Sequence, residues 1–247
     1  VGSEMCIRDS MHSEDILVYG SRGLEANPKA LLKLRSLVKK YYETLAWSHV
    51  TLAEVRYSQE KYRLITRLTE IIYDERQDWI GVEVGIETGS VRLAKKVTPA
   101  KAAPYRVEEW PEVVEEDFAI MHDHRIIPAA TSILGLPGEE DVIAIIELLD
   151  RPKDYRIPMF FAPLGVLRSG RRFLREHLTE FHVEAMRRSM HHSLKWAEDI
   201  LFKPYFKGIG YIPLEVLLKM LIGYIKWRVR AVERGLEKGA WRDPMVA

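Results

Sequence analysis

Cysteine is nearly absent from this chain. Cys6 is the one thiol among 247 residues, so no internal disulfide framework can form. Long apolar runs are absent as well. The most apolar stretch, Tyr211 to Val229, is broken by Glu215, Lys219 and Lys226. A membrane-spanning helix wants roughly 20 mostly apolar residues, so a span is not expected. No signal-peptide pattern opens the sequence, no low-complexity tract interrupts it, and the expected compartment is cytoplasmic. Charge of one sign is lacking too, with a formal net charge of +1.

What is present is an ordinary globular composition, 47% hydrophobic and 30% charged. The length suits one large domain, or one domain with a helical appendage. The charge is unevenly placed. Residues 203–247 hold nine Lys/Arg against four acids, a surplus of five positive charges that leaves −4 on the rest. Such a tail suits an anionic partner, lipid headgroups or nucleic acid, although a solvated basic face is the ordinary reading. No clear nucleic-acid signature accompanies it.

The first ten residues, Val1-Gly2-Ser3-Glu4-Met5-Cys6-Ile7-Arg8-Asp9-Ser10, look like the in-frame translation of a transposase adapter used in sequencing libraries. They are set aside from fold reasoning. On that reading the chain is an internal piece of a longer product, and Cys6 carries no function.

From Asp15 onward, β-rich runs alternate with helical patterns. Strands are expected at Ile16–Gly20, His49–Val55, Trp79–Ile86, Ile126–Leu134 and Arg156–Leu164. Asn27-Pro28 reads as a cap for a helix with Leu31, Leu34, Leu37, Val38, Tyr41 and Tyr42 near a 3.6 period. A second helix carries Tyr62, Ile65, Leu68, Ile71 and Ile72 on one face. Others follow around Trp110–Met121 and Val142–Leu149. Most strand starts lie about 30 residues apart, the size of one strand–helix unit. Apolar strands with helices between them imply a parallel sheet covered on both faces. An open doubly wound sheet and part of a barrel both satisfy that pattern. In either, ligands bind at the C-terminal strand ends, here Gly20-Ser21, Arg56-Tyr57, Glu87 to Ser90, Leu134 to Glu139 and Ala162 to Gly165. After about residue 170 the alternation stops, and two helices, Phe173–Phe202 and Leu214–Gly235, are expected.

Two segments carry chemistry. In Val82-Glu83-Val84-Gly85-Ile86-Glu87-Thr88-Gly89-Ser90 a carboxylate stands just past a strand, between glycines that admit a ligand close to the backbone. A carboxylate accepts two hydrogen bonds from a ribose diol. It also suits the first turn of a helix, and position alone leaves both roles open. In Ala129-Ala130-Thr131-Ser132-Ile133-Leu134-Gly135-Leu136-Pro137-Gly138-Glu139, small residues admit a flat ring and Ile133 offers it an apolar face. An ordinary strand-to-helix turn fits as well. The histidines His122, His124, His182, His191 and His192 show no metal-ligand spacing and are expected at the surface or an interface.

Together these segments resemble the radical S-adenosylmethionine (SAM) superfamily, in its cobalamin-domain-containing branch. Gly85 to Ser90 is similar to the fourth-strand motif, Ile133 to Glu139 to the fifth, and Phe160-Phe161-Ala162-Pro163-Leu164 to the sixth. Ile16–Ser21 looks like the second strand and His49–Tyr57 the third. The resemblance spans residues 14–168. It implies a partial parallel (β/α) barrel of the radical SAM type over residues 11–170 and an α-helical C-terminal region over 171–247. It implies SAM contacts as well: Glu87 on the ribose with Ser90 nearby, Ile133 on adenine with Thr131 beside it, and Ala162 at the sixth strand. Lys101 is a looser candidate for the SAM carboxylate, against a solvated loop lysine.

The departures from the family are specific. The Cys-x3-Cys-x2-Cys loop that binds its four-iron, four-sulfur (4Fe-4S) cluster is missing. The second-strand glycine-glycine-acid pattern is not recognisable in Tyr19-Gly20-Ser21-Arg22, and the fifth-strand glutamate falls one residue late. The resemblance therefore implies a fragment of an enzyme that cleaves SAM reductively and starts radical chemistry on an unreactive carbon, with cobalamin as a further expected cofactor. The fragment itself is expected to be inactive and to hold no metal. The alternative is a degenerate, non-catalytic module that binds SAM or another protein. The C-terminal helix, with Leu214, Leu217, Leu218, Leu221, Ile225, Val229 and Val232 opposite a basic face, is expected either to pack on its own domain or to lie on a membrane.

Overall fold

The structure is a computed structural model. It describes residues 10–11, 15–21, 23, 25–134, 136, 139–151, 154–155, 159–163, 179–200 and 212–237. The chain divides into two compact units, residues 1–131 and 132–247. The boundary expected near residue 170 lies outside the described residues.

Both units are mixed or helical. In chain order the elements are β1 (Ser10–Met11), α1 (Pro28–Lys39), β2 (Ala46–Trp47), α2 (Leu52–Tyr62), α3 (Leu64–Ile72) and β3 (Ile80–Glu87). There follow α4 (Val91–Val97), α5 (Trp110–Asp123), β4 (Ile126–Leu134), α6 (Glu139–Asp150), β5 (Met159–Pro163), α7 (Glu180–Ile200) and α8 (Ile212–Glu237). The sheets are small: β1 pairs with β2 in parallel, and β3, β4 and β5 neighbour one another in that order. Among the described residues the strands do not close a barrel.

The first unit is built on β3. Its side chains alternate, with Ile80, Val82, Val84 and Ile86 buried and Glu83 exposed, the two-residue period of a strand with one covered face. Ile80 N–H donates to Arg125 O at 3.2 Å, and the Thr131 hydroxyl reaches Val84 O at 3.4 Å. Both contacts advance in the same direction, so β4 runs parallel to β3. On the other side of β3, His49 and Glu83 form a parallel bridge. Gln77 fixes that edge: its amide exchanges hydrogen bonds with Leu45 at 2.6 and 2.8 Å.

Two expected strands give way here. Ile16–Gly20 is a turn rather than a strand. Asp15 accepts Leu17 N–H at 2.9 Å through one oxygen and Thr51 N–H at 2.8 Å through the other. This side-chain hydrogen bonding competes with a strand ladder. Ile16 and Leu17 remain buried, so the apolar run serves the core without pairing along its length. Gly20 has φ +70°, and a Cβ there would stand 2.8 Å from the Ala30 Cβ. The strand expected at His49–Val55 shortens to Ala46–Trp47 and the bridge at His49, because α2 starts at Leu52. Arg56 and Tyr57 are therefore helical rather than at a strand end. Ser10, expected to be artefact, lies in β1 opposite Ala46.

The helices follow their caps more than their apolar periods. Asn27 accepts Ala30 N–H at 3.1 Å with Pro28 in the first turn, as expected. The helix then ends at Lys39, leaving Tyr41 76% exposed, and its buried line is Leu31 and Arg35. Arg35 lies over the Trp47 ring at 5.3 Å, and burial pushes its guanidinium down to about 10. The expected second helix breaks at Arg63, whose φ is 49°. Gln59 closes this corner by exchanging side-chain hydrogen bonds with Thr66 at 2.8 and 3.1 Å. Beyond it Leu64, Ile65, Leu68 and Ile72 are buried; Ile65, Leu68 and Ile72 belong to the expected stripe, whereas Tyr62 and Ile71 are only half-buried.

In the second unit, α6 buries Val142, Ile145 and Leu149 as the spacing predicts. Glu184 of α7 is held down to about 2 by hydrogen bonds from Arg187 and then Arg188, and Arg188 reaches Asp150 at 2.7 Å. No described helix is long and apolar enough to cross a membrane.

Candidate functional site

The C-terminal end of β3 brings several of the candidate residues together. Glu87 closes the strand with φ 63°, a left-handed backbone that residues with a Cβ seldom adopt. Thr88 N–H donates to Ile86 O at 2.8 Å, which makes the turn tight. Lys101, from a 3-10 turn at Pro99–Ala102, donates to Glu87 Oε1 at 2.5 Å and to Gly85 O at 3.0 Å. The two side chains are 23% and 31% exposed. Lys101 is thus not a solvated loop lysine but the carboxylate's partner.

Gly85 has a defined reason here. A Cβ at that position would stand 2.6 Å from Lys101 Nζ and closer still to the Glu87 carboxylate. The room expected for a ligand beside Gly85 is occupied by the protein's own ion pair.

The helix cap after the strand belongs to Ser90. Its hydroxyl accepts Leu93 N–H at 3.3 Å, and its own N–H donates to the Thr88 hydroxyl at 3.0 Å. Glu87 does not cap α4, so the competing role for that carboxylate falls away. The turn is anchored from below: Trp110, 2% exposed, donates its indole N–H to Thr88 O at 2.9 Å. Sequence reasoning placed Trp110 on a helix but missed this bond, which joins residues 22 positions apart.

Thr131 is exposed on β4, beside Val84. Ile133 is half-buried on β4 and Ala162 lies on β5, both in the second unit. Gly135, Pro137, Gly138 and Leu164 of their motifs lie outside the described residues.

A second polar cluster gave only a partial signal. Arg56 donates to Glu60 at 2.8 Å and forms an ion pair with Glu116 at 2.8 Å, and its guanidinium lies over the Tyr105 ring at 4.4 Å. Tyr105 donates to Glu60 at 2.8 Å. Beneath them Asp117 is fully buried. One of its oxygens accepts Arg56 N–H at 2.7 Å and the other has no hydrogen-bond partner. Burial pushes the Asp117 carboxyl well above the usual carboxylate range. The i,i+4 spacing of Arg56 and Glu60 is readable in the sequence; the contacts to Tyr105, Glu116 and Asp117 are not. Glu54, also buried, accepts Ala26 N–H at 3.0 Å, and desolvation raises its carboxyl to about 7.

The histidines serve structure. His124 contacts Ile120 O at 2.7 Å and the Thr66 hydroxyl at 2.9 Å, at the end of α5. His182 is buried and holds Thr179 at the start of α7, and His192 is buried too, so these two are not surface residues. His191 pairs with Glu233, an acid too distant in sequence for spacing to reveal. Among the described residues no three His, Cys, Asp or Glu form a metal-binding group.

No profile of a known protein family matches the chain, and no curated protein matches it.

Proposed function

We propose that this chain is the nucleoside-binding part of a radical SAM enzyme, with Glu87 as the residue that takes the SAM ribose. One observation carries the reading: at the end of β3, Glu87 adopts a left-handed backbone that turns its carboxylate onto Lys101, while Ser90 performs the capping that would otherwise explain the acid. The lysine donates to Oε1; the hydroxyls of a ribose diol would donate to Oε2. Lys101 then positions the carboxylate and offers its charge to the methionine carboxylate of the same ligand. Thr131, on the neighbouring strand, supplies a hydroxyl at the same end of the sheet. Within each of the two sheets, β1-β2 and β3-β4-β5, the strand order follows the sequence, as it would in a segment of a (β/α) barrel.

The 4Fe-4S cluster does not fit these residues. One cysteine cannot supply three thiolate ligands, and the radical-generating step is not assigned to them. No residue is assigned to cobalamin either. That mismatch favours a second reading, a SAM-binding module without catalysis. The coding sequence upstream of residue 10 separates the two: a Cys-x3-Cys-x2-Cys triplet there makes the intact protein an enzyme, and its absence leaves the module.

Equilibrium dialysis of the chain against SAM, with NAD and ATP as competitors, tests the shared premise. SAM binds and the two competitors do not displace it. Glu87→Gln weakens binding about tenfold, the loss of one charge-assisted hydrogen bond, with the unfolding curve unchanged. Absent SAM binding, or an unaltered affinity in the variant, overturns the assignment.

A further inference from the structure

Helix α8 carries an apolar face that no described part of the protein covers. Val216, Leu217, Met220, Leu221, Tyr224 and Trp227 are 50, 61, 68, 50, 54 and 57% exposed. The series 217, 220, 221, 224 recurs at helical spacing and so forms one continuous stripe. The face that anchors α8 is a different one. Ile222 and Val229 are buried, and Glu233 pairs with His191 and, at 3.7 Å, with Arg187 of α7. The stripe is therefore not the packing face of the helix, and side chains of this size seldom gather on a surface without a partner.

The charges around the stripe select the occupant. Arg228, Arg230 and Arg234 are exposed on the same helix. Glu233, the acid among the described side chains of α8, is turned to α7 and 13% exposed. Tyr224 and Trp227 lie side by side, ring centroids 5.9 Å apart, as amphipathic aromatics do at headgroup level. An anionic surface would neutralise these three arginines.

We propose that α8 lies in the interface of an anionic lipid bilayer, with the stripe among the acyl chains and the arginines on the phosphate headgroups. The helix has 26 residues and would cover about 39 Å of membrane surface. It lies along the surface, since it does not qualify as a span. The inference is independent of the nucleoside site.

Co-sedimentation of the chain with vesicles tests it. Phosphatidylcholine vesicles doped with phosphatidylglycerol bind the chain. Pure phosphatidylcholine binds it at least about tenfold more weakly, and about 0.5 M salt removes most of the difference. Leu217→Glu with Leu221→Glu abolishes binding, and Arg228→Glu with Arg230→Glu weakens it about tenfold or more. Brominated-lipid quenching of the unmodified chain, lost in Trp227→Phe, reads insertion without a disruptive variant. No binding to anionic vesicles, equal binding to both vesicle types, or a dimer that Leu221→Glu breaks while vesicles leave the chain in solution would each overturn the proposal.

Discussion

Around β3 the protein hides polar side chains; on α8 it exposes apolar ones. Arg35, Glu54, Thr88 and Asp117 are at most 3% exposed. Each has a contact in place: Arg35 the Trp47 ring, Glu54 the Ala26 N–H, Thr88 Ser90 and Trp110, and Asp117, at one of its two oxygens, the Arg56 N–H. Burying a polar group without a partner costs several kcal/mol in order of magnitude, so these groups persist only because the first unit is built around them. On α8 the cost is of the other kind. Met220 is 68% exposed and Leu217 61%, an arrangement that gains nothing from the fold itself. The difference teaches that the buried polar groups find their contacts within the chain, whereas no described residue covers the apolar exterior of α8.

Removing the anchor of the first unit should have the largest effect on that contrast. Trp110→Ala deletes a buried ring and orphans Thr88 O, and is expected to destabilise the first unit by about 3–5 kcal/mol in urea unfolding. A loss under about 1 kcal/mol would mean that the turn after β3 does not depend on it.

The buried acids give a smaller effect with a defined sign. Glu54 has its folded value raised from 4.5 to about 7. The neutral form is the one the fold prefers, so the stability it contributes is fully present below 4.5 and is lost as pH rises through about 7. Asp117 is shifted in the same direction. Thermal unfolding between about pH 5 and pH 8 should show the decline, and Glu54→Gln, which keeps an oxygen for Ala26 N–H, should flatten it by on the order of 2 kcal/mol. An identical pH profile in the variant would remove Glu54 from the account.

The smallest effect belongs to α8. Leu221→Ser replaces a half-exposed leucine outside the packing face and is expected to change stability by less than about 0.5 kcal/mol by chemical denaturation. A loss as large as that of Trp110→Ala would show that the stripe is covered in solution by the chain itself.

Much of the element pattern was legible from residue order. The strand expected at Trp79–Ile86 came from a β-rich run and stands at Ile80–Glu87; α1 came from Asn27-Pro28, and α6 from Val142, Ile145 and Leu149, because these signals are local. Ile16–Gly20 misled for the same reason: its apolar run reads as a strand, but Asp15 draws the backbone into a turn through Thr51, 36 positions away. The stripe expected on α8 also needed revision. Leu217, Leu221 and Ile225 share a helical period with Val229, yet they are exposed while Ile222 and Val229 are buried. Period alone defines a face but not what stands opposite it.

The candidate site divides along that line. By itself the sequence determined that a carboxylate would follow a buried strand at Glu87, and that one cysteine could not hold a cluster. These depend on residue type and short spacing. Only the tertiary structure decided that Lys101 meets Glu87, that Gly85 makes room for the pair, and that Trp110 secures the turn. Those contacts join residues 14 to 22 positions apart, and a bond between distant residues is set by how the chain closes on itself, which no local pattern of side chains records.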